Sequence, residues 1–151
     1  MPSPELLPGL TFEWTYRVPK KAVVPELYDD VELYDDVELC RDMPAVLATG
    51  YLAGILECAC LQAIRPYLDW PREQSLGTLV SFSHLAATPA GDTLRIRGKL
   101  VDVAGRTLRF EVEAWDGLDQ VSTGTHERVI VDRERFHTKL RAKADKLGLP
   151  V

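Results

Sequence analysis

One long apolar segment constrains the fold of this chain more than any other feature. Residues 44–68 read PAVLATGYLAGILECACLQAIRPYL, and Glu57 is the only acidic or basic residue between Met43 and Ile64. A surface helix has a polar face, which this segment lacks. The uncharged part before Glu57 is too short to span a bilayer, which takes about 20 apolar residues. The segment therefore predicts a central, buried helix that closes at Pro66.

Five other segments have the pattern of β-strands. In residues 10–18, apolar side chains alternate with polar ones: Leu10, Phe12, Trp14, Tyr16 and Val18. Four more segments follow the helix in close succession, at residues 77–88, 92–103, 106–116 and 120–131. Because Gly91, Gly105 and Gly117 lie in their short connections, we expect these four to form an antiparallel meander. Asp132 is a candidate N-cap for a last helix, whose basic face we expect to be solvated.

This order of elements predicts a single α+β domain over residues 1–151. A helix without a polar face is accommodated when a curved, five-stranded antiparallel sheet wraps around it, which is the hot-dog fold. The terminal helix completes that fold. An isolated sheet of this kind leaves an edge strand, and a second copy of the chain would cover it. We therefore expect a homodimer, or a tetramer built from two dimers.

Charge and cysteine content exclude several classes of function. The net charge is -5, much of it in the tandem repeat ELYDDVELYDDVEL at residues 26–39, so the chain offers no basic surface for nucleic acid. The odd number of cysteines excludes a fully paired disulfide framework, and the cysteines and histidines show no zinc spacing. We expect no metal site. The start MPSPELLPGL has no signal-peptide pattern, which predicts a cytoplasmic protein that does not enter the membrane.

Three residues are candidates for chemistry. Glu57 lies on the predicted buried helix, where a carboxylate needs a specific partner or a task. It could instead reach the helix surface or form a structural ion pair with Arg65 or a strand residue. His84, in the predicted strand 77–88, and Thr49, near the helix start, also fit purely structural roles. Thr49 and Glu57 are about 12 Å apart along a helix axis, so they would act from different sides of a bound group.

Three segments carry a more specific signal: ATGYLAGILECACLQAIRPYL, SLGTLVSFSHLAATPAG and GTHERVIV. Together they resemble the fluoroacetyl-CoA thioesterase family, dimeric acyl-CoA hydrolases with the hot-dog fold, and the likeness runs from about Leu10 to Lys143. The catalytic Thr, Glu and His of that family fall on Thr49, Glu57 and His84. The resemblance implies an acyl-CoA thioesterase that hydrolyses a short or small acyl thioester to the free acid and CoA.

The resemblance also implies a mechanism without a metal or an organic cofactor, in which coenzyme A is part of the substrate. Glu57 would attack the thioester carbonyl or act as general base for water. His84 would activate the hydrolytic water or protonate the departing thiolate. Thr49 would orient the carboxylate or the acyl oxygen.

Substrate-binding roles follow from the same resemblance. The backbone N–H of Gly77 is a candidate oxyanion donor, although Gly77 could equally be an ordinary glycine at a strand start. Arg128 matches a family position near the substrate, and pairing with Glu127 or Asp132 is the structural alternative. Met43 is expected to line the acyl pocket.

The segment before the helix departs from the family pattern. Cys40 and Met43 replace the aromatic residues that gate the pocket of the fluoroacetyl enzyme, so we do not expect strong selection for fluoroacetyl. One copy of ELYDDV is surplus, which we interpret as a duplication that enlarges a lid or loop. Two alternatives stay open: a non-catalytic acyl-CoA-binding module, and a thioesterase acting on an acyl-carrier-protein thioester.

Overall fold

The computed structural model describes residues 2–29 and 38–151 of the chain. Five strands form one antiparallel sheet: β1 (Thr11–Arg17), β2 (Glu73–Phe82), β3 (Thr93–Ala104), β4 (Thr107–Trp115) and β5 (Gln120–Asp132). The α-helices of the described residues are α1 (Val24–Leu27), α2 (Glu38–Arg41), α3 (Thr49–Ile64) and α4 (Arg133–Leu147). These elements match the predicted composition of the fold, with α3 as the long helix.

The strands lie in the order β1-β3-β4-β5-β2, so β1 and β2 form the two edges. The turns predicted at Gly105 and at Asp116–Gly117 close the β3–β4 and β4–β5 hairpins. At the first turn Gly105 has a φ of 62°, a conformation that a residue without a side chain adopts freely. These three strands therefore form the meander that the turn glycines predicted.

The prediction that β2 belongs to this meander is wrong. The strand spans Glu73–Phe82 rather than residues 77–88, and it pairs with β5 instead of β3. The chain then crosses the sheet through residues 83–92, so the segment with Gly91 is a crossover and not a hairpin turn. The position of β2 is determined by its pairing with most of the length of β5. It is not determined by the sequence of the segment that follows β2.

The central helix is shorter and less enclosed than predicted. Residues 46–48 are extended rather than helical: the N–H of Leu47 donates to the carbonyl of Thr88 at 2.8 Å, and the N–H of Ala48 donates to the carbonyl of Ala22 at 2.9 Å. The inner side of α3 packs against the sheet through six buried residues: Leu52, Ile55, Leu56, Ala59, Cys60 and Ile64. Of the other ten residues of α3, six are half-buried and four are exposed in the single protomer, namely Thr49, Gly50, Cys58 and Gln62. The prediction of a helix buried all round is therefore wrong for one copy of the chain.

The two edges of the sheet differ in chemistry. The exposed side chains of β1 are polar, whereas β2 and the residues after it expose Leu76, Leu79, Val80 and Leu85, each with at least 37% of its surface accessible. Exposed apolar side chains on an unpaired edge are unfavourable in water. The β2 edge is therefore the part of the sheet that a partner would cover.

The last helix begins and ends as the sequence indicates. Asp132 caps it by accepting a hydrogen bond from the N–H of Arg135 at 3.0 Å, and Gly148, with a φ of 67°, ends it. Ala144 is its one buried residue, so the basic face is exposed as predicted. No helix among the described residues is long and apolar enough to cross a membrane.

Most of the acidic repeat, and with it the predicted enlarged lid, lies outside the described residues. Asp29, within the repeat, and Arg41, just after it, form an ion pair with 2.7 Å between Oδ1 and Nη2. Cys40, within α2, is buried, and Met43 after it is half-exposed.

Candidate active site

Thr49 and His84 form the first part of the site. Thr49 Oγ1 lies 2.8 Å from Nδ1 of His84. The backbone explains why they meet: Leu47, just before α3, is hydrogen-bonded to Thr88, in the crossover that follows β2. The two segments are therefore tied side by side, and the first residue of the helix reaches the histidine.

His84 lies beyond the end of β2, which corrects its predicted place within a strand. Its neighbours are still attached to β5, since the N–H of Ser83 donates to Thr123 at 2.9 Å and the N–H of Leu85 donates to Val121 at 2.7 Å. Burial lowers the pKa of His84, so the imidazole is neutral at neutral pH. Its Nε2 is buried and has no hydrogen-bond partner among the described residues. A neutral imidazole with one uncommitted nitrogen can accept or deliver a proton there.

Glu57 lies two turns further along α3 and points toward the sheet. Its side chain is 37% exposed in one protomer. A Cβ at Gly77 would collide with Glu57 Oε1 and would come within 3.2 Å of Cε1 of His126. The missing side chain at Gly77 is thus what lets the carboxylate lie against β2. The oxyanion role of the Gly77 N–H stays a prediction.

Arg128 is buried and extensively hydrogen-bonded within the protomer. Its Nε donates to Ser75 Oγ at 2.9 Å, and its Nη2 donates to the Ser75 carbonyl at 2.8 Å. Nη1 lies 3.8 Å from Glu57 Oε1. Burial lowers the pKa of Arg128 and the Glu57 carboxylate opposes that effect, but an arginine stays protonated. Arg128 is therefore a fixed positive charge beside Glu57, and the alternatives of pairing with Glu127 or Asp132 are not observed.

His126 is a site residue that sequence reasoning missed. It is fully buried, and its Nδ1 lies 2.7 Å from the carbonyl of Leu79. Because a carbonyl only accepts, Nδ1 carries the proton, and Nε2 accepts from Arg128 Nη1 at 3.1 Å. Burial lowers the pKa of His126, which keeps the ring neutral. Nε2 lies 3.8 Å from Glu57 Oε1. His126 and Arg128 thus lie together behind the carboxylate.

The burial of His126 and Arg128 on one side of β5 could have been predicted from the sequence. Counting back from Ile130 in steps of two places Arg128 and His126 on the same side of β5, and all three are buried. Cys60, on the inner side of α3, is no rival nucleophile, because burial raises the pKa of its thiol to about 12.

The structure does not bring the three predicted catalytic residues together within one protomer. Thr49 and His84 form one group, and Glu57 with Gly77, His126 and Arg128 forms another. Within residues 2–29 and 38–151, no hydrogen bond or ion pair joins Glu57 to Thr49 or His84. The same ranges contain no group of three or more His, Cys, Asp and Glu residues placed to hold a metal ion.

Comparison with known families settles the class of this protein. A model of the fluoroacetyl-CoA-specific thioesterase family matches residues 31–134. The chain belongs to this family. A curated fluoroacetyl-CoA thioesterase from Streptantibioticus cattleyicolor is 39% identical over 135 residues, which cover 89% of this chain and 92% of the relative.

Solved structures agree with membership of the fluoroacetyl-CoA-specific thioesterase family. The fluoroacetyl-CoA thioesterase FlK superposes with a TM-score of 0.82 at 39% identity, covering 91% of this chain and 97% of that one. A variant of FlK in complex with fluoroacetate and CoA superposes with a TM-score of 0.78 at 38% identity, covering 87% and 99% of the two chains. A thioesterase superfamily member from Thermus thermophilus shares the fold, with a TM-score of 0.80 at 22% identity over 95% and 96% of the chains. The predicted hot-dog fold and the predicted thioesterase class are confirmed.

Proposed function

We propose that this protein hydrolyses a short or small acyl-CoA thioester to the free acid and CoA. The observation that carries the proposal is the carboxylate of Glu57, which lies against Gly77 with Oε1 facing the buried charge of Arg128. Oε2 has no hydrogen-bond or ion-pair partner among the described residues. One oxygen is held while the other is available for a reacting group. The curated relative is a fluoroacetyl-CoA thioesterase, which supports a CoA ester as substrate.

Glu57 supplies the first step. Its free oxygen either attacks the thioester carbonyl, which gives a mixed anhydride and releases CoA thiolate, or removes a proton from a water that attacks instead. In the first case a water molecule then hydrolyses the anhydride, which gives the free acid and regenerates the Glu57 carboxylate. In the second case the water adds to the carbonyl and the acyl–sulfur bond breaks as CoA thiolate leaves. The thioester carbonyl is electrophilic and the thiolate leaves readily, so the proposal needs no metal or organic cofactor.

Thr49 and His84 act on the other side of the acyl group. In the anhydride route, the neutral His84 takes a proton from the hydrolytic water and passes it to the released CoA thiolate. In the general-base route, the proton that Glu57 takes from water goes to that thiolate. Thr49 holds the imidazole through the 2.8 Å contact and orients the acyl oxygen. The N–H of Gly77 stabilises the oxyanion, and Met43 lines the acyl side of the pocket.

We propose that Arg128 affects the substrate indirectly and does not touch it. The guanidinium is committed to Ser75 and His126, and it lies beside the carboxylate. Arg128 therefore acts on the substrate through Glu57. A cytoplasmic location is part of the proposal, and nucleic acid and membranes are not among its partners.

We further propose a homodimer through the β2 edge, with a tetramer of two dimers as a larger assembly. The exposed apolar side chains Leu76, Leu79 and Val80 support this interface. Within one helix, Thr49 and Glu57 are about 12 Å apart, which is too far for joint action on one carbonyl. Two copies of α3 running antiparallel across a two-fold axis would place Thr49 and His84 of one protomer near Glu57 of its partner. Each site would then be shared.

Thiol release from acetyl-, fluoroacetyl- and phenylacetyl-CoA tests the proposed activity. We expect steady CoA release from at least one of these esters in the absence of added metal. If no ester releases CoA while acyl-CoA still binds, the activity is wrong, and an acyl-CoA-binding module or a carrier-protein substrate takes its place.

Two experiments test the shared site. Val80→Lys should convert the dimer to a monomer in light scattering and abolish activity, whereas Thr15→Lys, on the other edge strand, should change neither. Co-expression of Glu57→Gln with His84→Ala should restore activity in hybrid dimers, because one of the two shared sites is then intact. Inactive hybrids would show instead that each protomer carries a complete site.

A further inference from the structure

His126 is fully enclosed beside Glu57. It lies in β5, opposite Val80 of the edge strand β2 and Phe110 of β4, and its side chain has no exposed surface. Its ring stacks on that of Phe110, with centroids 6.2 Å apart and planes inclined by 27°, and the ring of Phe82 lies 6.1 Å away. Because this packing holds the plane of the imidazole, its two nitrogens point in fixed directions.

Each nitrogen of His126 has a hydrogen-bond partner, and the two partners have opposite roles. The carbonyl of Leu79 accepts from Nδ1 at 2.7 Å, which leaves Nε2 able to accept from Arg128 Nη1 at 3.1 Å. Leu79 directly follows an irregularity in the pairing of β2 with β5, where β2 contains one residue more than β5. A backbone group of β2 thus fixes His126 in the tautomer that can accept from Arg128.

The guanidinium of Arg128 is held at all three of its nitrogens. Ser75 accepts from Nε through its Oγ at 2.9 Å and from Nη2 through its carbonyl at 2.8 Å. Among the described residues, His126 is the one hydrogen-bond acceptor of Nη1. A guanidinium is planar and rigid, so contacts at three corners fix its position as well as its plane.

The contact between Arg128 and Glu57 is an ion pair without a hydrogen bond. Nη1 and Oε1 are 3.8 Å apart, which is beyond hydrogen-bond distance. A direct charge-assisted hydrogen bond would be shorter by about 1 Å and would occupy the oxygen. His126 binds the same nitrogen of Arg128, so it competes with Glu57 for this donor. The carboxylate is attracted by the positive charge but accepts no hydrogen bond from it.

We propose that His126 is a positioning residue for the reaction, which holds Arg128 at this distance and thereby keeps the oxygens of Glu57 free to react. The proposal rests on the proposed thioesterase function. His126 acts only through Arg128 and Glu57. Without an acceptor at the position of Nε2, the attraction between opposite charges would draw Nη1 onto Oε1. A carboxylate bound in this way is a weaker nucleophile and a weaker base, because its negative charge is shared with the donor.

Two substitutions separate the two hydrogen bonds of His126. In His126→Gln, the longer amide reaches the position of Nε2 and its oxygen can accept from Arg128 Nη1, but the donor to Leu79 is lost. In His126→Asn, the shorter amide can donate to Leu79, but it does not reach Nη1. His126→Asn should therefore lower kcat by about 10-fold or more with KM unchanged, whereas His126→Gln should retain kcat within about 3-fold.

The free energy of unfolding, measured in urea, distinguishes positioning from a purely structural role. Ile96→Val removes buried volume in β3, where Ile96 pairs with Trp14 and Ala114, and should leave kcat as it is. A purely structural histidine would make kcat follow the free energy of unfolding across the three variants. That result, or an equal kcat in His126→Asn and His126→Gln, overturns the proposal.

A crystal structure of His126→Asn tests the proposal without reference to activity. Nη1 of Arg128 should have moved from 3.8 Å to about 3 Å from Glu57 Oε1, which is hydrogen-bond distance. An unchanged distance overturns the positioning role, even if the wild type hydrolyses an ester. If Nη1 moves but the wild type hydrolyses none of the esters, the thioesterase function fails while the control of this contact by His126 stands.

Discussion

Thr49 Oγ1 lies 2.8 Å from Nδ1 of His84, which joins the first residue of α3 to the segment that follows β2. The contact depends on backbone hydrogen bonds between the extended residues before the helix and the crossover after β2. A histidine outside regular structure is thereby held by a helical residue. In the proposed site this pair contributes the imidazole that accepts and delivers a proton.

Thr49→Val should lower kcat for the preferred ester by about 10- to 100-fold, because the side chain keeps its shape but no longer bonds to His84. Thr49→Ser keeps the hydroxyl and should retain most of the activity. Combining Thr49→Val with His84→Ala should cost little more than His84→Ala alone, since the two residues act as a unit. Fully additive losses in steady-state kinetics would contradict this coupling.

Gly77→Ala should reduce kcat by about 100-fold, because the new methyl group displaces the Glu57 carboxylate from the sheet. Gly117→Ala in the β4–β5 turn is the control, as the atoms nearest to its Cβ would be those of the Asp92 carboxyl group, with Oδ1 at 3.4 Å. Circular dichroism should show both variants folded. A fully active Gly77→Ala protein would mean that the carboxylate does not act from its observed position.

His126→Ala should lower the free energy of unfolding by about 2–4 kcal/mol, because it leaves a cavity and removes the partners of the Leu79 carbonyl and of Arg128 Nη1. His126→Asn keeps a donor near the position of Nδ1, so it should recover part of that loss. Urea unfolding measures both variants. Equal destabilisation by Ala and Asn would indicate that the hydrogen bond to Leu79 contributes nothing.

The pH dependence of stability should reflect the lowered pKa values of His84 and His126. Below the unfolded histidine pKa of about 6.5, the unfolded chain binds more protons than the folded one until the folded pKa values are reached. The free energy of unfolding should therefore fall as the pH drops below about 6.5. Above that pH, the full stabilising contribution of the two neutral histidines is present. His126→Asn should flatten this fall in urea titrations, and His137→Asn, on the exposed side of α4, should leave it intact. A wild-type stability that increases on acidification below about pH 6.5 would contradict the assigned burial.

Much of the fold follows from patterns that are local in sequence. The apolar run around Leu52 and Leu56 predicts the helix, and Gly105 predicts the β3–β4 hairpin, because both depend on neighbouring residues alone. The position of β2 could not be predicted in this way. Its pairing with β5 is a contact between residues far apart in the chain, and the glycine at position 91 gives the same local signal in a crossover as in a hairpin.

Part of the site could also be predicted from local sequence alone. Glu57 stands out as a lone charge in an apolar helix, so its need for a partner was evident. The identity of that partner depended on the register of β5, which buries Arg128 and His126 behind the carboxylate. In the segment THER these residues resemble the polar positions of a solvated strand. Only the alternation that leads back from Ile130 distinguishes them.

The catalytic role of Glu57 is tested by single-turnover thiol release by Glu57→Gln beside the wild type, with the preferred acyl-CoA ester. The amide keeps the size of the side chain beside Gly77 but can neither attack the carbonyl nor accept a proton. We expect a loss of about 100-fold or more in the rate of CoA release, with binding of the ester preserved. Release of CoA by Glu57→Gln at the wild-type rate would show that Glu57 is not the catalytic carboxylate.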